Sequence, residues 1–87
     1  MRSIKELLEV LLDQYENNKD DTIRLRGLCH AVIIIRYRYL ITRKEERLLI
    51  SCLWENRPKH YSLTGFWWPR GHTKPRIEFL KKLISEL

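Results

Sequence analysis

The fold class depends on residues 22–41, TIRLRGLCHAVIIIRYRYLI, because this segment allows two interpretations. Its run of β-branched residues, 32–35, is typical of a strand. However, apolar side chains recur at helical spacing well beyond that run, at Leu25, Leu28, Cys29, Val32, Ile35 and Tyr39. We therefore predict a helix over about 22–41, capped by Asp21 and with no turn signal inside it. Its nearly all-round apolar surface is typical of a helix that is central in the fold or shared with a second subunit.

The residues before this segment predict a first helix over about 3–17. Ser3 and Glu6 have the spacing of a capping box, in which each side chain binds the backbone N–H of the other residue. A polar break over 17–21 separates this helix from the next one. The apolar side chains that follow the box repeat at helical intervals, at Ile4, Leu7, Leu8, Leu11, Leu12 and Tyr15.

The residues after the central segment predict two more helices. Thr42 and Glu45 form a second capping box, which starts a helix over about 43–56 that Pro58 ends. Pro75 suits the first turn of a final helix, where its missing N–H is no loss. The third helix is expected to turn Leu48, Leu49, Cys52 and Leu53 inward. The sequence thus predicts a single all-α domain over 1–87, with four helices and a long ordered aromatic and basic loop between helices 3 and 4.

Composition narrows the class of partner. The net charge is +6, with a net −3 over residues 1–21 and a net +9 over residues 22–87. A basic body favours an anionic partner, although a solvated basic surface is an equally good interpretation of charge alone. We find no apolar stretch long enough to cross a membrane and no signal-peptide pattern, so we expect a cytoplasmic protein without a membrane partner.

Cys29 and Cys52 are expected to be buried thiols, because both lie on segments predicted to be core helix. Neither lies at a spacing from another cysteine or a histidine that is typical of a zinc site. We also find no serine elbow, phosphate loop or paired-carboxylate motif. The sequence therefore predicts no metal, no cofactor and no catalytic residues.

The segment 58–76 holds the candidate ligand site, because large aromatic residues and basic residues occur together there. Rings can stack on a base, and arginines beside the first amides of a helix can hold phosphate. A first-turn cation such as Arg76 opposes the helix dipole, and a bound anion would resolve that mismatch. The predicted ligand-binding residues are Tyr61, Trp67, Trp68, Arg70, His72 and Arg76.

Each of these candidates has a structural alternative. The aromatic residues can act as an auxiliary core under the loop, and Arg76 can pair with a carbonyl at a helix C-terminus, or with Glu45 or Glu46. A basic stripe near the junction of helices 2 and 3 also has more than one interpretation. It suits a nucleic-acid patch, a solvated face or a subunit rim. The stripe consists of Arg36, Arg38, Arg43, Lys44 and Arg47.

Several of these motifs resemble small accessory proteins of tailed bacteriophages. The resemblance covers about residues 25–87 and is most specific at Trp67-Trp68-Pro69 and at Pro75-Arg76-Ile77. It implies expression in the cytoplasm of a bacterial host and brings no catalytic residues. Small phage proteins of this type often act in counter-defence, including as oligomeric proteins that sequester nucleotide immune signals.

Three hypotheses follow. The first is a non-catalytic phage counter-defence protein that binds an anionic nucleotide messenger and forms a homo-oligomer through helix 2. The second is a small basic inhibitor or adaptor that binds a host protein or a nucleic acid. The third is a structural or regulatory phage protein in which the aromatic loop belongs to the core.

Overall fold

A computed structural model describes residues 1–17, 21–57 and 73–87. Within these ranges the chain forms five helices and no strand: α1 (Ile4–Asn17), α2 (Asp21–Arg24), α3 (Leu28–Tyr37), α4 (Arg43–Glu55) and α5 (Lys74–Ser85). The prediction of an all-helical protein is therefore confirmed, and the β-branched run lies in a helix. The prediction of four helices is corrected to five, because the segment 22–41 is divided.

Gly27 divides the predicted second helix into α2 and α3. The Arg26 N–H donates to the Ile23 carbonyl over 2.9 Å, which closes a turn after α2. Gly27 then takes an extended conformation, with φ −68° and ψ 166°, as the N-cap of α3. Glycine is among the residues favoured at an N-cap. The sequence did contain a turn signal at this position, and the expectation of an unbroken helix was wrong.

The C-terminal end of α3 also differs from the prediction, which extended the helix to about residue 41. The Leu40 N–H donates to the Ile35 carbonyl over 3.0 Å, and the Tyr39 N–H donates to the Arg36 carbonyl over 2.9 Å. This pair of bonds is a Schellman motif, which ends a helix by placing one residue in the left-handed region. Tyr39 is that residue, with φ 61°. Its side chain is 95% exposed, so the prediction that Tyr39 lies on the inner face was wrong.

Both predicted capping boxes are present. The Glu6 N–H donates to Ser3 Oγ over 3.2 Å, and the Ser3 N–H donates to Glu6 Oε1 over 3.1 Å. The Glu45 N–H donates to Thr42 Oγ1 over 3.2 Å, and the Thr42 N–H donates to Glu45 Oε1 over 2.9 Å. These bonds satisfy backbone groups that a helix leaves without partners, and so they fix where α1 and α4 begin.

The core lies between α1, α3, α4 and α5. α1 packs against both α4 and α5, and α3 packs against α4, while the short α2 contacts α1 and α3. Leu48, which was predicted to face inward, is 39% exposed. The buried apolar side chains are Leu7, Leu8, Leu11, Tyr15, Ile23, Leu28, Ala31, Val32, Ile35, Ile41, Leu49, Leu53, Leu80 and Leu83.

α3 contributes Leu28, Ala31, Val32 and Ile35 to this core. Ile33, on the opposite side of the helix, is 36% exposed. The apolar surface of α3 is thus used mainly within the chain. Among the described helices, none combines the length and the apolar character needed to cross a membrane.

Candidate functional site

Most of the predicted ligand-binding residues lie outside the described residues, which end at 57 and resume at 73. Their roles remain predictions. They are Tyr61, Trp67, Trp68, Arg70 and His72. The sixth predicted residue, Arg76, lies in the first turn of α5, after Thr73 at the N-cap and next to Pro75.

Arg76 lies in the interior, with only 1% of its surface exposed. Burial lowers the pKa of its guanidinium, and the nearby Tyr15 opposes that effect. Tyr15 is itself fully buried on α1, where burial raises the pKa of its hydroxyl, and the hydroxyl donates to the Arg26 carbonyl over 2.8 Å. A side chain so enclosed is not open to a ligand arriving from solvent. This position therefore supports the structural interpretation of Arg76.

Glu45, one of the two carboxylates considered as a partner for Arg76, is engaged at the turn between α3 and α4. Its carboxylate, 4% exposed, accepts the Thr42 N–H over 2.9 Å and the Arg2 N–H over 3.1 Å. These two hydrogen bonds, and then the charge of Arg2, hold the pKa of Glu45 below its ordinary value. Arg2 also donates from Nη1 to the Leu40 carbonyl over 2.6 Å. The segment before α1 is thus fastened to the turn that precedes α4.

Glu46, the other carboxylate considered, bonds to Arg36. The Arg36 Nε donates to a Glu46 carboxylate oxygen, and this bond raises the pKa of the arginine further. The Arg36 Cζ also lies 4.2 Å from the centroid of the Tyr37 ring. Arg36 therefore joins α3 to α4 and supports the ring of Tyr37 from one face.

Three cations remain on the exposed side of α4. Arg43, Lys44 and Arg47 are exposed, and within the described residues none of them takes part in an ion pair. Arg43 and Arg47 are four residues apart, so they lie on one face with a rise of about 6 Å between them. The predicted basic stripe is therefore divided: Arg36 is neutralised by Glu46, whereas these three charges face solvent.

The C-terminal end of α4 carries a stacked pair that the sequence analysis missed. Trp54 is 56% exposed, and the Arg57 Cζ lies 4.1 Å from the centroid of its ring. Arg57 also donates from Nη1 to the Trp54 carbonyl over 2.7 Å, which holds the guanidinium in place. The available signal was a tryptophan on the polar face of an amphipathic helix, followed three residues later by an arginine.

The two thiols do not favour nucleophilic chemistry. Cys29 and Cys52 are half-buried, and burial raises the pKa of both. Near neutral pH they are therefore mainly protonated, whereas the thiolate is the reactive form. In the part of the chain that the structure describes, no group of three or more His, Cys, Asp and Glu side chains is arranged to hold a metal ion.

Comparisons with known proteins found no match to a protein family, to a curated protein or to a solved structure. The function therefore has to be inferred from the chemistry of these residues. Among the described residues, two exposed groups combine aromatic rings with cations: the Trp54–Arg57 pair at the end of α4, and the residues around the turn between α3 and α4.

Proposed function

We propose that this chain is a non-catalytic binding protein for an anionic nucleotide. The form predicted from the sequence is a phage accessory protein that sequesters a nucleotide immune messenger in the host cytoplasm. The Trp54–Arg57 pair is the observation that carries the proposal. It combines, on one exposed surface, a ring for a base and a guanidinium for a phosphate.

The chemistry of the pair suits a nucleotide. Stacking of a base on an exposed ring contributes about 1–3 kcal/mol per base and requires no particular base sequence. Arg57 covers one face of the Trp54 ring, and its hydrogen bond to the Trp54 carbonyl limits the rotamers that binding would otherwise have to freeze. The guanidinium can donate two parallel hydrogen bonds to a phosphate beside the stacked base.

The pair also lies next to the predicted ligand segment in the chain. Arg57 is the last described residue before that segment, whose first predicted ligand residue is Tyr61. We propose that Trp54 and Arg57 form one edge of the same site. In this arrangement, Trp67, Trp68, Arg70 and His72 supply further stacking and phosphate contacts.

A screen by thermal unfolding tests the proposal, using linear and cyclic nucleotides and ADP-ribose derivatives at low and moderate salt. A ligand at about 100 times its dissociation constant adds about 2.7 kcal/mol to the free energy of unfolding. For a domain of this size, that corresponds to a rise in Tm of about 10–20 °C. No shift with any nucleotide would refute the proposal.

Two variants then locate the site. Trp54→Ala is expected to weaken binding of the nucleotide by the stacking contribution, about 1–3 kcal/mol, while Trp54→Phe retains most of it. The ring is more than half exposed, so both variants should fold, which circular dichroism checks. Equal affinity of wild-type and Trp54→Ala protein would place the nucleotide elsewhere.

The proposed homo-oligomer has its own test. The sequence predicts the contact for helix 2, residues 22–41, of which α3 is the longest helical part, and Ile33 on α3 is 36% exposed. Light scattering of the full chain at micromolar concentration should give a multiple of the 10.7 kDa chain mass. Ile33→Asp should reduce that mass to one chain, and a monomeric wild-type protein would remove the oligomer from the proposal.

A further inference from the structure

Exposed rings and exposed cations flank the turn between α3 and α4, all within residues 37–47 of the chain. We call this surface the turn patch and define it as Tyr37, Tyr39, Arg43, Lys44 and Arg47. We propose that the turn patch binds single-stranded nucleic acid. The inference is independent of the nucleotide proposal, because it depends on the opposite end of α4 from the Trp54–Arg57 pair, about 16 Å along the helix.

Tyr39 is an exposed aromatic residue in a strained backbone conformation. It occupies the left-handed position of the Schellman motif, with φ 61°, where glycine is the usual residue. A side chain with a Cβ costs about 1–2 kcal/mol in this conformation. The ring is 95% exposed, so packing within the chain does little to offset the cost. An aromatic residue held in a strained, solvent-facing position is more typical of a binding surface than of a structural turn.

Tyr37 supplies a second ring. It is 67% exposed, and the Arg36 guanidinium covers one of its faces at 4.2 Å from the ring centroid. Arg36 is in turn held by Glu46 on α4. Arg36 thus covers one face of the Tyr37 ring, while most of the residue remains exposed to solvent. This is the arrangement expected of a ring on which a base can stack.

The turn patch also carries positive charges that lack a partner on α4. Arg43 and Lys44 lie in the first turn of α4, where positive charge opposes the helix dipole. Both carboxylates of that turn are engaged, Glu45 with Arg2 and Glu46 with Arg36. The exposed cations of the patch are therefore not neutralised by their own helix, and a phosphate chain would neutralise them.

The combination favours single strands over other anions. An exposed ring can stack on a base only where that base is unpaired, which single strands provide and an intact duplex does not. Arg43 and Arg47 are separated by a rise of about 6 Å, so they can contact different phosphates of one strand. An acidic peptide would satisfy the cations but offer no base to the two rings.

Fluorescence anisotropy with a labelled oligothymidylate tests the cations. The double variant Arg43→Ala, Arg47→Ala should bind more weakly and lower the slope of log K against log salt by about 1.4, or about 0.7 for each phosphate that is no longer neutralised. The matched control is Arg24→Ala, Arg26→Ala. It also removes two exposed arginines, but from α2 and the turn after it, which pack against α1 and α3. The control should bind nearly as tightly as wild type and keep the slope.

A second pair of variants tests the rings. Tyr39→Ala should weaken binding by about fivefold to a hundredfold, while Tyr39→Phe should bind nearly as well as wild type. Absence of wild-type binding at low salt would overturn the proposal, and so would equal weakening in the two double-arginine variants. Equally tight binding of polyglutamate would also overturn it, because the surface would then recognise charge alone. A nucleotide screen without any shift in Tm would refute the nucleotide proposal but would not affect oligonucleotide binding at the turn patch. The two proposals can therefore be refuted independently.

Discussion

Replacing Tyr39 with glycine should stabilise the protein. Tyr39 has φ 61° at the end of α3, a conformation that glycine adopts without a steric cost. The two backbone hydrogen bonds of the turn, from Tyr39 to Arg36 and from Leu40 to Ile35, do not involve the side chain and should persist. The substitution therefore removes strain and leaves the capping geometry unchanged.

The magnitude follows from opposing contributions. Relief of the left-handed conformation contributes about 1–2 kcal/mol. The greater freedom of glycine in the unfolded chain opposes this by about 0.5–1 kcal/mol. Loss of the ring changes the free energy of unfolding little, since 95% of the residue is exposed. The net gain is therefore about 0–1.5 kcal/mol, and its midpoint of about 0.8 kcal/mol raises Tm by about 3–6 °C for a domain of this size.

Thermal and urea unfolding followed by circular dichroism measure the effect. Tyr39→Ala is the matched control, because it removes the same ring but retains the left-handed strain, and its stability should lie within about 0.5 kcal/mol of wild type. Tyr39→Gly should also lose oligonucleotide affinity, so that stability and binding change in opposite directions. If the glycine variant is no more stable than the alanine variant, the strain argument is wrong.

Two further predictions concern buried charged groups. The lowered pKa of Glu45 means that its contribution to stability is fully present above pH 4.5, the ordinary value, and is lost as the pH falls through the depressed pKa. The unfolding free energy of Glu45→Gln should therefore depend less on pH in that acidic range, and parallel curves for the two proteins would contradict the assignment. Arg76→Ala should lower the unfolding free energy by about 2–5 kcal/mol by emptying a buried position, with a smaller loss for Arg76→Met. If Arg76→Ala instead leaves Tm unchanged and abolishes nucleotide binding, Arg76 is a ligand residue, as the sequence predicted.

The features that the sequence predicted well depend on neighbours in the chain. The boxes at Ser3 and Thr42 need only a residue three positions away, and so they located the starts of α1 and α4 correctly. Most of the errors concern the central segment, residues 22–41. Apolar periodicity continues past Gly27 and predicts an unbroken helix, whereas Gly27 is the N-cap at which α3 begins. The same periodicity predicts that Tyr39 faces inward, although α3 ends at Tyr37 and Tyr39 is 95% exposed. On α4, helical spacing predicts that Leu48 faces inward, but Leu48 is 39% exposed.

For the candidate sites too, the sequence predicted some features and the packing of the helices decided others. The excess of positive charge after residue 21 was evident from the sequence, but a list of cations does not show which are neutralised. Arg36 meets Glu46 across α3 and α4, while Arg43 and Arg47 remain exposed, and only packing of the two helices decides this. The stacked position of Arg57 on Trp54 likewise depends on where α4 ends.

By itself, the sequence determined the all-helical class, the two helix starts and the basic character of the chain, since these follow from periodicity, capping and composition. Tertiary structure alone decided that Arg76 is enclosed next to Tyr15 and that Tyr37 and Tyr39 face solvent. The physical reason is that exposure depends on which helices cover a residue, and residues far apart in the chain make that cover. A local pattern gives the direction of a side chain on its own helix, but it does not show whether another helix lies in that direction.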